Sequence, residues 1–194
     1  MNEKLQVLLA EMRADDLKAR GEIEDKWLLP RSLHPDSAQF LSLIVHAVNA
    51  RAVLEIGTSV GFSTLYLAEA VSEIGGHVTT LEMLPAKYDS ARANITRSGF
   101  TSSVTQHLGD ALDLLPKLPG PWDLIFLDAE KEIYYDAWHL FRDNVSPGGI
   151  VIADNLLSHA DDLQSYRQAI LDDSRYETMT LPIGQGLELS CRRR

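Results

Sequence analysis

Apolar positions in the first fifty residues recur every three or four places. Leu5, Leu8, Leu9 and Met12 do so between charges, and Phe40, Leu41, Ile44, Val45 and Val48 do so after Pro35. This spacing predicts two amphipathic helices, with Pro35 a good first residue for the second. Between them "KWLLPRSLHP" carries two prolines and reads as an irregular connection, its Trp27 either structural or lining a pocket. From Ala52 the pattern changes. The short β-branched or apolar runs "AVLEI", "HVTTLE", "SVTQHL", "WDLIFLD" and "GIVIADN" are each followed by a helix-like segment or loop. Such alternation predicts βαβ units and a parallel sheet covered by helices on both faces. Near the end, "YETMTLP" and "GLELSCR" are separated only by Ile183-Gly184-Gln185. So short a link cannot make a parallel crossover, so these two runs pair antiparallel and one strand of the sheet is reversed.

With 194 residues and 45% hydrophobic content, the expectation is one α/β domain over 1–194, with helices in 1–50 and the sheet core in 51–194. The net charge of -10 argues against nucleic acid backbone or an anionic membrane as partner. No run approaches the roughly 20 apolar residues that span a bilayer. The start "MNEKLQVLLAEMRADD" is too acidic and polar for a secretory leader, so a cytoplasmic location is expected. The single cysteine, Cys191, cannot form an internal disulfide.

Candidate chemistry gathers just after the strands, where open parallel sheets bind ligands. Gly57-Thr58-Ser59-Val60-Gly61 matches the G-x-S-x-G pattern of a nucleophile elbow, but a ligand-holding glycine loop before a helix would look the same. The dinucleotide fingerprint G-x-G-x-x-G is absent. Glu82 ends the second run, where an acidic side chain can accept from ribose hydroxyls. After the third, Asp110 can cap a helix, accept from an adenine amino group, or do both. The fourth run ends in Asp128 with Lys131 three residues on, and the fifth in Asp154-Asn155. If these strands are adjacent, two carboxylates and an amide oxygen converge, a hard set suited to Mg²⁺, Mn²⁺ or Ca²⁺.

Taken in order, "VLEIGTSVGFSTLYLA", "LEMLPAKYDSARANI", "GDALDLLP", "FLDAEKEIYYDAW", "PGGIVIADNLL" and "LPIGQGLEL" resemble the class I S-adenosylmethionine-dependent methyltransferases. Within them the likeness is to the small metal-dependent O-methyltransferases of the catechol and caffeoyl-coenzyme A type. The resemblance implies a Rossmann-like, mostly parallel seven-stranded sheet with one antiparallel strand near the C-terminus. It also implies S-adenosylmethionine and a divalent cation, most simply Mg²⁺, as cofactors, a small phenolic or vicinal-diol acceptor, and a homodimer. By resemblance Glu55, Gly57, Gly61 and Ser63 surround the methionine and ribose parts of the cofactor, Glu82 holds the ribose, Asp110 faces the adenine, and Asp128 borders the cofactor. Asp128, Asp154 and Asn155 match the metal ligands, and Lys131 the general base. Glu130 stands where the family typically has Asp.

Tyr134, Tyr135, Trp138, Trp27 and His159 are candidates for the acceptor pocket, although aromatics at helical spacing more often pack in a core and His159 is equally a surface residue. A hydrolase triad can be drawn from Ser59, Asp128 and His159. It would leave Glu82, Asp154, Asn155 and Lys131 without a role, and an elbow normally follows several earlier strands. Methylation of a hydroxylated uridine in transfer RNA is a further alternative, disfavoured by the charge.

Overall fold

The computed structural model describes residues 3–25 and 27–194. Helices α1 (Glu3–Glu22) and α2 (Pro35–Val48) precede a seven-stranded sheet. Its strands are β1 (Ala52–Ile56), β2 (His77–Glu82), β3 (Val104–Leu108), β4 (Trp122–Leu127), β5 (Val145–Ala153), β6 (Tyr176–Leu181) and β7 (Leu187–Arg192). Between them run α3 (Phe62–Glu73), α4 (Pro85–Ser98), α5 (Ala111–Leu114), α6 (Tyr134–Phe141) and α7 (Gln164–Leu171). The strand order is β3-β2-β1-β4-β5-β7-β6, with β7 antiparallel to both neighbours and the other pairings parallel. The expected alternation and the single reversed strand are therefore present. The β6–β7 connection is longer than the three residues anticipated, because β6 stops one residue earlier and β7 starts one residue later, leaving 182–186 as the turn. No helix among the described residues is long and apolar enough to cross a membrane.

Period-two alternation distributes the strand residues between two cores. Val53, Leu124, Phe126, Ile150 and Ile152 face one side, where Leu5, Leu8, Leu9 and Met12 of α1, Leu41 and Val45 of α2, and Leu65 of α3 cover them. Leu54, Ile56, Ile125, Leu127, Val151 and Ala153 face the other, under Trp138 and Phe141 of α6 and Tyr166 and Ile170 of α7. In this second core Trp138 meets Phe141, Tyr166 and Tyr176 edge-on, with centroids 4.8–6.3 Å apart. Tyr134 and Trp138 are therefore core residues, fully buried, rather than lining for an acceptor.

Strand order reverses at β1, which has β2 on one side and β4 on the other. The crevice at such a switch point opens at the C-terminal strand ends. The predicted irregular connection borders that end: Lys26 lies outside the described residues, and 27–34 form neither helix nor strand before α2 begins at Pro35.

Candidate functional site

The loop after β1 is shaped by its neighbours. Gly57 has φ +104°, and a Cβ there would sit 2.1 Å from the Asp128 carbonyl oxygen, so only glycine lets the β1 and β4 ends approach this closely. The N–H groups of Gly57 and Thr58 both donate to the Leu81 carbonyl, at 3.0 and 3.1 Å, and tie the loop to β2. Gly61, at φ +89°, turns the chain into α3.

Glu55 lies beneath this loop with no exposed surface. Its carboxylate accepts from Ser63 Oγ at 2.6 Å, from Thr80 Oγ1 at 2.6 Å and from Thr64 Oγ1. Burial pushes its pKa up to about 7, against the partial relief of those three hydroxyls and with a further rise from the charge of Asp128. Both Glu55 and Ser63 thus spend their side chains on each other, and what they offer a ligand is support for the loop and the first turn of α3.

Glu82, almost buried at the end of β2, accepts from the Ser59 N–H at 2.7 Å through Oε2 and from the Leu84 N–H at 2.8 Å through Oε1. Its carboxylate is oriented by backbone while keeping acceptor capacity. Ser59 holds left-handed φ +48° and donates its hydroxyl to the Pro30 carbonyl. Among the described residues no imidazole engages that hydroxyl, and the His159 ring pairs instead with Ser158 Oγ at 2.9 Å. The G-x-S-x-G match is a loop fastening, not a nucleophile with its base. Asp110 is exposed and caps α5, its Oδ1 accepting from Leu112 N–H at 2.8 Å.

Strands β4 and β5 are hydrogen-bonded neighbours, with Leu127 opposite Ala153, so Asp128 and Asp154 leave the sheet side by side. Asp154 is buried and its Oδ1 has no hydrogen-bond partner among the described residues. Burial, then the charge of Asp128, hold its pKa well above the usual carboxylate range, partly relieved by the Asn155 N–H and Lys131. Asn155 has φ +72° and donates its amide nitrogen to Gln185 Oε1 at 3.0 Å. Lys131 reaches the Ala129 carbonyl at 2.7 Å, Tyr134 Oη at 3.0 Å and Asp128 Oδ1 at 3.5 Å, with Tyr134 fixed in turn by the Leu127 and Asp154 carbonyls.

Among the described residues no three His, Cys, Asp or Glu side chains form a metal cluster. The oxygens available are two carboxylates and one amide. That set fits a hard cation, because a positive ion would satisfy the partnerless Asp154 oxygen and cancel the repulsion from Asp128.

Three features escaped the sequence reading. Arg31, at φ +48° in the connection, pairs with Glu130. Lys87 in α4 is nearly buried, its pKa lowered by burial and then by Arg31, within electrostatic reach of Glu82, Glu130 and Asp128. Gln185, in the β6–β7 turn, contacts Asn155. All three depend on segments distant in sequence, so no local pattern announces them. Of the candidate pocket aromatics, Tyr135 lines a cavity of about 860 Å³ between α6 and α7, with His139, Arg142 and Gln168, that includes none of the strand-end residues. Trp27 is 38% exposed and its backbone N–H donates to Asp25 Oδ1 at 2.9 Å.

Comparison with known proteins decides the lineage. A family model described as O-methyltransferase matches residues 19–194. The chain belongs to the O-methyltransferase family. Among its members, catechol O-methyltransferase of Niastella koreensis is 36% identical over 147 residues, which cover 73% of this chain and 65% of that protein. Catechol O-methyltransferase of Mycobacterium tuberculosis is 41% identical over 133 residues, covering 66% and 59%. The match thus spans less than two thirds of these relatives' own lengths. An O-methyltransferase from Bacillus cereus, solved in complex with SAH, superimposes with a TM-score of 0.82 at 27% identity, over 96% of this chain and 91% of that one. Family membership and the seven-stranded fold therefore agree.

Proposed function

We propose that this chain is an S-adenosylmethionine-dependent O-methyltransferase, assisted by a divalent cation, that methylates one hydroxyl of a small catechol-like or phenolic acceptor. The observation that supports this most is the emergence of Asp128 and Asp154 from paired strands with an Asp154 oxygen left without a partner. When bound, S-adenosylmethionine supplies an activated methyl group, and a divalent cation favours loss of the proton from the hydroxyl that receives it.

The chain's own residues would do the rest. Glu82, its carboxylate aimed by two backbone N–H groups, would accept from both ribose hydroxyls. Asp110, one oxygen spent on the cap of α5, keeps the other for an adenine amino group. Gly57 and Gly61 set the loop against which the methionine portion would lie, and Glu55, Ser63 and Thr64 brace it from below. Asp128, Asp154 and Asn155 would hold the cation, with Mg²⁺ the simplest choice and Mn²⁺ or Ca²⁺ compatible with the same oxygens. Lys131, fixed between Ala129 and Tyr134 beside Asp128, would in its neutral amine form, favoured by the adjacent cation, take the proton of the acceptor hydroxyl.

The test is calorimetric titration of S-adenosylhomocysteine into wild type and Glu82→Ala with Mg²⁺ present. Loss of charge-assisted hydrogen bonds costs about 1.5–3 kcal/mol, a weakening of roughly tenfold or more. A screen of diol acceptors with and without chelator then reads the cation requirement. Absence of binding to the wild type would overturn the proposal at its base.

A further inference from the structure

Asn155 is the one proposed cation ligand whose donor atom is ambiguous in principle. A carboxamide presents an oxygen or an NH₂ group depending on a half-turn about one bond, and only the oxygen can ligate a cation. In the structure the Asn155 carboxamide is tied to Gln185, 30 residues later in the chain. Asn155 Nδ2 donates to Gln185 Oε1 at 3.0 Å, and Asn155 Oδ1 accepts no hydrogen bond among the described residues.

The turn carrying Gln185 is itself zipped to the segment after β5. The Gln185 carbonyl accepts from the Leu157 and Ser158 N–H groups, both at 3.1 Å, and the Gly186 carbonyl from Leu156 N–H at 2.9 Å. Glycine is required at both flanks. A Cβ at Gly186, φ +94°, would lie 2.5 Å from Leu157 Cγ, and one at Gly184, φ +58°, would lie 2.3 Å from Ser37 Oγ at the start of α2. The turn is thus seated against two elements, and its exposed glutamine reaches inward to Asn155.

We infer that Gln185 is a positioning residue for the cation site: by accepting from the Asn155 amide nitrogen, it holds the carboxamide with Oδ1 as the atom presented beside Asp128 and Asp154. This rests on the cation reading proposed above. Partners one shell out from a metal ligand typically change affinity by about 10–100-fold when removed. Gln185→Leu keeps bulk but cannot accept, so the Asn155 amide is free to rotate. Gln185→Glu keeps the acceptor.

The experiment titrates Mn²⁺ into wild type and both variants, reading free ion by electron paramagnetic resonance. In parallel, S-adenosylhomocysteine is titrated into each protein in chelator. The expected result is Mn²⁺ binding weakened by about tenfold or more in Gln185→Leu and retained in Gln185→Glu, with S-adenosylhomocysteine affinity unchanged in both. Turnover should show a raised Mn²⁺ activation constant for Gln185→Leu with kcat at saturating metal little changed. Unaltered Mn²⁺ affinity in Gln185→Leu would overturn the inference and leave the cation reading standing. Loss of both Mn²⁺ and S-adenosylhomocysteine binding in both variants would make Gln185 a structural residue and also overturn it. If wild type shows no saturable Mn²⁺ binding, or Asp154→Ala binds as wild type does, the cation reading fails and the inference with it.

Discussion

Glu55 makes the stability of this protein depend on pH in a way that one isosteric change should abolish. It is wholly buried, it accepts three hydroxyl hydrogen bonds, and its pKa is raised from 4.5 to about 7, chiefly by burial. Below pH 4.5 the carboxyl is protonated in both folded and unfolded chains and contributes no pH dependence. Between 4.5 and 7 the unfolded chain has released the proton and the folded chain still holds it, so stability falls with rising pH by roughly 1.4 kcal/mol per unit. Above 7 both forms are ionised and the loss is complete. Over the window the deficit comes to roughly 3 kcal/mol. Glu55→Gln keeps the shape and removes the titration. Its stability relative to wild type should therefore improve by about that amount between pH 4.5 and 8, through a cancellation of every other group that titrates in the range. With a urea m-value of about 2 kcal/mol/M for a small protein, the difference between the two unfolding midpoints should move by more than 1 M across the window. The assay is equilibrium urea unfolding of both proteins at four or five pH values. A midpoint difference that stays constant from pH 4.5 to 8 would refute the reasoning, because it would mean that Glu55 ionises in the folded protein as it does in the unfolded one.

Gly57→Ala drives a Cβ to 2.1 Å from the Asp128 carbonyl at φ +104°, and should lower the melting temperature by about 5 °C or more in calorimetry, from a cost of about 2–3 kcal/mol. Lys131→Met should reduce methyl transfer by about a hundredfold or more, with S-adenosylhomocysteine affinity unchanged, since proton removal is lost and cofactor contacts are not. Ser59→Ala removes only the hydrogen bond to Pro30 and keeps the N–H on Glu82, so it should cost about 1 kcal/mol of stability in urea unfolding and should retain methyl transfer; complete inactivation would revive the nucleophile reading.

The extent to which this architecture can be read from the chain follows from which contacts are local. The helix spacing of Leu5, Leu8, Leu9 and Met12, the alternation of Leu54 with Val53 and of Leu124 with Ile125, and the brevity of the 182–186 turn are all properties of short windows, and each predicts its element. The strand-end positions of Glu82, Asp110, Asp128 and Asp154 follow with little more, because a parallel sheet puts all its C-terminal ends on one side. What a short window lacks is the partner of each side chain. Nothing around Glu55 reveals that Thr80, on another strand, joins Ser63 and Thr64 in donating to its carboxylate, so the bracing of the loop by this side chain is invisible in a short window. Nothing around Ser59 reveals Pro30, and so a pattern shared by two chemistries stays ambiguous until the connection between α1 and α2 is seen lying across it. Tyr134 and Trp138 show the same limit: helical spacing places them on one face of α6 and favours a core role, but only packing against β4 and β5 decides that this face is core. A strand end thus determines where a side chain can act, and the long-range neighbours determine what remains of it to act with.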